Sequence, residues 1–135
     1  MTNVERENTR LFQMLSNGKM CAYCQKAAAV CEHHLIRRAA SEILRYEPLN
    51  GIECCQGCHN AIHDGKLDEW GPVGNDRAAR LYEIARTNFK DYLLSRGGMT
   101  RDEFYIECRE KLRRTVLRED DFCARAYPFC NSIPF

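Results

Sequence analysis

The stretch "LNGIECCQGCHNAIH", residues 49–63, decides how the middle of the chain folds, because several structural signals are compressed into it. It opens on an Asn-Gly dipeptide, which favours a turn, and continues with a short apolar segment typical of a strand. Cys55 and Cys58 follow, at the spacing at which one tight turn presents two thiolates to a single ion. A pair of histidines comes next. The stretch therefore predicts a strand that leads through a metal-binding knuckle into a short helix.

A second knuckle, "CAYC", lies upstream and carries Cys21 and Cys24. Two such pairs complete a tetrahedral site, so we predict one structural Zn²⁺ held by Cys21, Cys24, Cys55 and Cys58. The 30 residues between the pairs exceed the roughly 15–20 of compact zinc ribbons, so the ion should join the ends of an inserted unit. A redox function is the alternative for one Cys-x-x-Cys pair, but two copies without a βαβ pattern favour zinc.

Five further cysteines bring the total to nine. An odd number fits complete disulfide pairing poorly, and a cytosolic chain would not use a disulfide framework. Cys54 competes with its neighbour for the zinc, but the spacing favours a core position for it. We expect the remaining four to be ordinary buried thiols, Cys31, Cys108, Cys123 and Cys130. A second metal site formed by the last three is the alternative.

The bulk composition bounds the class of protein. The chain has 135 residues and a formal net charge of +1, so it is not polybasic as a whole. Residues 76–118 carry 11 Lys and Arg against 7 Asp and Glu, a local surplus that can meet phosphates or simply solvate helices. No apolar run reaches the length of about 18 residues that a membrane span needs, and residues 1–10 are too polar for a signal peptide. We therefore expect a cytoplasmic protein without a membrane partner.

The pattern along the chain predicts an α+β fold in one compact domain of three parts. Residues 1–19 form an N-terminal helix, residues 20–70 form a Cys- and His-rich core of two short strands and one helix, and residues 76–135 form a helical extension that packs on the core. The sequence predicts two helices in that extension, the first of them over residues 76–96. Asn3 should cap the N-terminal helix, and Thr100 with Glu103 should form the capping box of the last one.

All four histidines of the chain lie between residues 33 and 63. His59 and His63 are four positions apart, which places both imidazoles on one face of a helix that can run through "CHNAIHDGKLDEW". His33 or His34 can add a third nitrogen from a neighbouring strand, and three protein ligands with open positions are typical of a catalytic metal site. The alternative is that His59 or His63 replaces a cysteine at the structural zinc.

Together, "CAYC", "EHHL" and the opening stretch resemble the HNH endonucleases, which fold as a ββα-metal unit. The resemblance covers about 45 of the 135 residues. In that family a strand carries a metal ligand followed at once by a catalytic histidine, a loop carries an asparagine, and a helix carries further ligands. Sixteen positions separate His34 from Asn50, nine separate Asn50 from His59, and four separate His59 from His63, as the family arrangement requires.

Residue by residue, the resemblance implies that His33 is the strand ligand, His34 the general base and Asn50 the residue that holds the loop. It implies that His59 and His63 bind the same catalytic divalent cation from the helix. The cation would be Mn²⁺, Ni²⁺, Zn²⁺ or Mg²⁺, and the zinc on the cysteines would be structural. Many zinc-stapled members have Asp or Asn where this chain has His33 and His59, and imidazoles favour borderline metals over Mg²⁺.

The implied activity is metal-dependent hydrolysis of phosphodiester bonds in DNA. DNA is then the partner, encoding by a phage or mobile element is typical of the family's small members, and the C-terminal helices could mediate a homodimer. Arg37 and Arg38 follow the histidine pair closely enough to contact phosphates, although an arginine pair on a solvated loop is equally ordinary. Lys66 and Arg45 are weaker candidates for the same task.

Two neighbouring residues and one competing function complete the expectations. Strand alternation places Glu32 on the face of His34, where we expect it to support the site or to be solvated. Trp70 lies in a segment rich in turn residues and should anchor packing. The competing function is a catalytically inert zinc module that binds nucleic acid or protein; it does not require the order of histidines and asparagine found here.

Overall fold

Five helices and one two-stranded antiparallel sheet form the fold, in a computed structural model that describes the backbone of residues 1–125 and the side chains of residues 1–117. The elements are α1 (Asn3–Met14), β1 (Cys31–His34), β2 (Gly51–Cys54), α2 (Gln56–His63), α3 (Asn75–Ala85), α4 (Phe89–Ser95) and α5 (Arg101–Arg125). The expected α+β class is confirmed. The predictions for the thiols of Cys123 and Cys130 lie outside the described residues. Within the described part, no helix combines the length and apolarity that crossing a bilayer demands.

The sheet places the adjacent histidines opposite the start of β2, within the stretch of residues 49–63. Strands β1 and β2 pair with His34 opposite Gly51 and Cys31 opposite Cys54. After β2 the chain enters α2 with no intervening loop, because Cys55 caps the helix and its Sγ accepts a hydrogen bond from the backbone N–H of Cys58 at 3.4 Å. The predicted order of strand, knuckle and helix is confirmed.

Buried apolar side chains form two clusters on either side of the loop that joins the strands. The helical cluster brings α1 and α5 together and contains Leu11, Phe12, Leu15, Ile43, Tyr46, Phe104, Tyr105, Leu112 and Val116. The sheet cluster lies against β2 and α3 and contains Leu35, Ile36, Leu44, Ile52, Val73 and Leu81. Each large apolar side chain buried in this way stabilises the fold by roughly 1.5–3 kcal/mol.

Helix α1 begins one residue earlier than the sequence suggested. Thr2, not Asn3, is the N-cap, because its side chain accepts from the Glu5 backbone N–H at 3.1 Å while the Glu5 carboxylate accepts from the Thr2 N–H at 2.8 Å. At the other end of the helix, the Gln13 amide bonds both backbone groups of Glu32, at 2.9 and 3.2 Å. The Gln13 side chain therefore satisfies the backbone groups of Glu32 in the way that a neighbouring strand would.

The helix expected over residues 76–96 is instead two helices, α3 and α4, so the C-terminal part has three helices up to residue 125. Asn88 breaks the run, since its Oδ1 caps α4 by accepting from the Asp91 N–H at 3.1 Å. Leu81 on α3 belongs to the sheet cluster, whereas Phe89 on α4 packs against the helical cluster. Because the chain breaks between α3 and α4, the two helices can pack against different clusters. The capping box of Thr100 and Glu103 on α5 is confirmed.

Helix α2 also ends earlier than the sequence allowed, at His63. Gly65, with a φ of 72°, takes the left-handed conformation that stops the helix. The chain then turns back toward Trp70, whose ring stacks on Tyr82 with centroids 4.8 Å apart and packs against the sheet cluster. The predicted packing function of Trp70 is confirmed.

Candidate functional site

The two knuckles converge on one point. The four sulfur atoms of Cys21, Cys24, Cys55 and Cys58 all lie within 4.8 Å of one another, and those of Cys24 and Cys55 are 3.9 Å apart. Ligands at 2.3 Å in a tetrahedron would be separated by about 3.8 Å. Among the described residues, no other group of three or more potential ligands is as tight. This cluster can hold a metal ion such as zinc.

Backbone geometry shapes the first knuckle for this purpose. Gln25 takes a left-handed conformation with a φ of 55°, which closes the turn after Cys24. The backbone N–H groups of Lys26 and Ala27 then point at the Cys24 sulfur, and they lower the pKa of that thiol. Because metals bind the thiolate, the turn favours the ligand in the form that coordinates.

The cysteines outside this cluster differ in burial. Cys54 is fully buried, and burial raises its pKa well above the usual range, so the expected core position is confirmed. Cys31 and Cys108 are only partly buried, which corrects the expectation of two ordinary buried thiols. Cys31 lines the cavity described next, and burial raises the pKa of Cys108 to about 12.

An open cavity of about 660 Å³ lies beside β1 and one face of α2. All four histidines border it, together with the two arginines that follow β1. Its lining residues are Gln13, Cys31, Glu32, His33, His34, Arg37, Arg38, His59, Ile62, His63 and Glu69. Lys66 and Arg45 do not line it. Six of the predicted site residues thus surround one cavity. Asn50 is buried and does not line it.

The imidazoles are arranged more loosely than the sulfurs. Nε2 of His59 and Nε2 of His63 are 3.2 Å apart, and the His33 ring lies 5.4 and 6.2 Å from the two rings, centroid to centroid. Two nitrogen ligands of one ion are separated by roughly 3.0–3.4 Å. The pair on α2 therefore has the spacing of two ligands, and the donor chemistry suits a borderline divalent cation. Sharing an ion with His33 requires a side-chain rotation.

Glu69 is the neighbour that the sequence did not reveal. Its Oε2 lies 2.6 Å from Nε2 of His33, and its backbone carbonyl accepts a hydrogen bond from the Tyr23 hydroxyl at 2.8 Å. Tyr23 stands between the two cysteines of the first knuckle. The only signal in the sequence was that an acidic residue follows His63 by six positions. This spacing does not reveal the turn at Gly65, which brings Glu69 back toward His33.

His34 is held in one orientation. Its Nε2 lies 2.8 Å from the carbonyl oxygen of Arg45, so the proton is on Nε2 and the lone pair is on Nδ1. The ring stacks on Phe12 with centroids 4.2 Å apart and planes inclined by 14°. Burial lowers the pKa of His34 to about 4, which keeps the imidazole neutral at pH 7.

Asn50 fixes the loop that carries this carbonyl. Its side chain is fully buried, and its Oδ1 accepts from the Ile36 N–H at 2.7 Å. Its Nδ2 donates to the carbonyls of Ile36 and Leu44, each at 3.0 Å. Leu44 directly precedes Arg45, so the asparagine sets the position of the acceptor that orients His34.

Helix α1 contributes to the site although it lies outside the family resemblance. A Cβ on Gly51, opposite His34, would lie 2.6 Å from Cγ of Glu32 and 2.9 Å from Cζ of Phe12, so this close packing needs glycine. Glu32 is only 5% exposed, which excludes the solvated position considered for it. Arg77 on α3 donates to the carbonyls of Leu49 and Gly51 and thereby fastens the start of β2.

No family model, curated protein or solved structure matches this chain. The resemblance to HNH endonucleases therefore stays a prediction from the sequence motifs. What the fold contributes is a four-cysteine cluster beside a cavity bordered by four imidazoles, two arginines and one carboxylate.

Proposed function

We propose that the chain is a metal-dependent endonuclease of the HNH type that hydrolyses phosphodiester bonds in DNA. The observation that carries the proposal is the orientation of His34. Its Nε2 is committed to the Arg45 carbonyl at 2.8 Å, while the ring borders a cavity that also contains three further imidazoles. A neutral, oriented imidazole beside candidate metal ligands is the arrangement that general-base hydrolysis requires.

His34 acts as the base in this proposal. With the Nε2 proton donated to the carbonyl, Nδ1 can accept a proton from a water that attacks the phosphate. A pKa lowered to about 4 by burial makes the free imidazole a weak base. Phosphate anions bound in the cavity would favour the protonated form and strengthen the base at the step where it is needed.

His33, His59 and His63 would hold the catalytic divalent cation. When bound, such an ion supplies Lewis-acid stabilisation of the phosphate oxygens. The chain provides two of these donors 3.2 Å apart on α2 and the third from β1 across the same cavity. Imidazole donors favour Zn²⁺, Ni²⁺ or Mn²⁺ over Mg²⁺.

DNA is the substrate that the charges suit. Arg37 and Arg38 are exposed side chains at the cavity, where guanidinium groups can bind phosphates through paired hydrogen bonds. These contacts would position the backbone and leave the base sequence unread. Homodimerisation through the C-terminal helices stays a prediction.

Plasmid nicking tests the proposed function. The zinc-loaded protein is incubated with supercoiled DNA and Mn²⁺, Ni²⁺, Zn²⁺ or Mg²⁺, beside the variants His34→Ala and Asn60→Ala. We expect metal-dependent nicking that falls by about 10²–10⁴-fold in His34→Ala, the contribution typical of a general base. Asn60→Ala, an uncharged and exposed control on α2 that does not line the cavity, should cut like the wild type. A folded, zinc-loaded protein without metal-dependent cleavage would instead be an inert zinc module.

Metal content gives a second test of the same proposal. We expect one zinc that survives mild chelation, on the cysteines, and one cation that exchanges, at the histidines. Mass spectrometry under native conditions, before and after chelation, counts both. A chain that binds a single ion in total contradicts the two-site arrangement.

A further inference from the structure

We propose that Glu69 is a fourth protein ligand of the exchangeable cation and sets which metal the site prefers. The inference rests on the proposed function, because it assumes that His33, His59 and His63 bind that cation. It adds a carboxylate to a set of three imidazole donors.

The distances support a ligand position. Oε2 of Glu69 and Nε2 of His33 are 2.6 Å apart, and Nε2 of His59 and Nε2 of His63 are 3.2 Å apart. Ligand atoms bound to one ion are separated by about 3 Å. The cavity thus contains two pairs of close donor atoms, one across the loop after α2 and one along α2 itself. No three of these four residues place their donor atoms within 4.8 Å of one another, so side-chain rotation must bring the two pairs onto one ion. All four residues border the same space.

The backbone around Glu69 is anchored, so the carboxylate does not depend on its hydrogen bond to His33 for its position. Tyr23 bonds the Glu69 carbonyl at 2.8 Å, and the Asp68 carboxylate accepts from the Trp70 N–H at 3.0 Å. Trp70 is stacked on Tyr82. A single hydrogen bond such as the one between Glu69 and His33 contributes about 1 kcal/mol. The anchoring therefore places the carboxylate at the cavity.

The chemistry of the donor set gives Glu69 a distinct effect. Three neutral imidazoles leave the charge of a divalent cation uncompensated, whereas one carboxylate cancels half of it. Oxygen donors also matter more to hard Mn²⁺ than to Ni²⁺, which imidazoles bind well. A ligand at this position should therefore favour Mn²⁺ selectively.

Another role for Glu69 predicts a different pattern. A carboxylate that only accepts a hydrogen bond from His33 would act through that ring and would not bind the ion. In that case its loss would weaken all metals by a similar factor. The ratio of affinities for two metals therefore separates a ligand from a hydrogen-bond partner.

The experiment is calorimetric titration of zinc-loaded, full-length protein with Mn²⁺ and with Ni²⁺, after removal of the exchangeable ion. Glu69→Gln keeps the shape and a hydrogen-bond acceptor but removes the charge. We expect its Mn²⁺ affinity to fall at least tenfold and its Ni²⁺ affinity to fall about two- to threefold, because Ni²⁺ depends less on oxygen. Asp64→Asn, which removes a nearby exposed carboxylate that does not line the cavity, should leave both unchanged.

Other outcomes overturn the inference. Equal loss for both metals identifies a hydrogen-bond partner of His33, and unchanged affinities exclude any contribution. A wild-type protein that binds Ni²⁺ but no Mn²⁺ lacks the oxygen ligand. Binding of neither metal removes the histidine site, and with it the metal dependence of the proposed function. Intact, Glu69-dependent binding without DNA cleavage would overturn the nuclease alone. Zinc content and thermal melting confirm that each variant is folded.

Discussion

The cysteine cluster and the histidine cavity lie next to each other but differ in how their donor atoms are arranged. The four sulfurs are within 4.8 Å of one another, and Cys21 and Cys55 are buried. The imidazoles border an open space of about 660 Å³, and His63 is exposed. A closed set of four ligands is typical of structural zinc, whereas a set with room for water and substrate is typical of catalysis. This difference in openness is the basis on which we propose a structural function for the cysteines and a catalytic one for the histidines.

The two regions are also held together by different means. The cysteine cluster is formed by two short turns, each of which places its own pair of sulfurs. The histidine cavity depends on side chains from distant segments: Asn50 for the loop, Phe12 for the His34 ring and Tyr23 for the Glu69 backbone. Removing zinc from the four cysteines should therefore disrupt the cysteine cluster. Removing the exchangeable cation from the histidines should leave the histidine cavity folded.

The largest effect should come from breaking the cysteine cluster. Structural zinc contributes on the order of 10 kcal/mol to the folding of small zinc domains. We expect Cys55→Ser to lose its zinc and its cooperative thermal transition, measured by metal analysis and circular dichroism. Cys31→Ser is the matched control, because Cys31 lies in β1 outside the cluster. A Cys55→Ser protein with one zinc per chain and a wild-type melting curve would contradict the assignment.

A smaller effect should follow from removing the polar support of the histidine cavity. Asn50→Ala leaves the N–H and the carbonyl of Ile36 buried without their partner, and it removes one of the two donors to the Leu44 carbonyl, which still accepts from the Glu47 N–H. Each unsatisfied group costs about 1–3 kcal/mol. We expect the free energy of unfolding in urea to fall by about 3 kcal/mol while zinc stays bound.

The control for this variant is Asn60→Ala on the exposed side of α2, which should change stability by no more than about 0.5 kcal/mol. If Asn50→Ala is as stable as the wild type, the loop is held by something else, and the account of His34 orientation fails.

The smallest effect should come from loosening the link between the two regions. Tyr23→Phe removes one hydrogen bond to the Glu69 carbonyl, worth about 1 kcal/mol. We expect unchanged zinc content and an exchangeable-metal affinity weakened by a few-fold, measured by calorimetry. Tyr82→Phe, at an exposed tyrosine, should have no such effect. Loss of zinc from Tyr23→Phe would show that the tyrosine belongs to the cysteine cluster instead.

Local spacing predicted the parts of the molecule that are formed locally. The two Cys-x-x-Cys pairs predicted the cluster, and the capping box of Thr100 and Glu103 predicted the start of α5, as the structure confirms. The turn expected at Asn50 and Gly51 is not centred there, because Asn50 ends a short 3₁₀ helix and Gly51 is the first, extended residue of β2. Apolar periodicity was less reliable for residues 76–96, because the apolar positions continue through Asn88 while the backbone breaks there to reach two clusters. The capping preference of asparagine was the signal that could have located this break.

Contacts between distant segments could not be predicted from spacing. Glu69 reaches His33 because Gly65 reverses the chain after α2 and Tyr23 holds the returning segment. The stacking of Phe12 on His34 likewise depends on how α1 packs across the sheet. Such contacts depend on tertiary structure, and the sequence alone supplied the residues without their partners.

The most direct test of the account compares the proposed roles of the adjacent histidines, one as a metal ligand and the other as the base. Metal affinity and plasmid nicking are measured on the same zinc-loaded preparations of His33→Ala and His34→Ala. We expect His33→Ala to bind the exchangeable cation at least tenfold more weakly, in the range seen for metal-site residues. His34→Ala should bind it like the wild type and lose turnover. A His34→Ala protein that loses the cation, or that still cuts DNA at the wild-type rate, would contradict the assignment of His34 as the base.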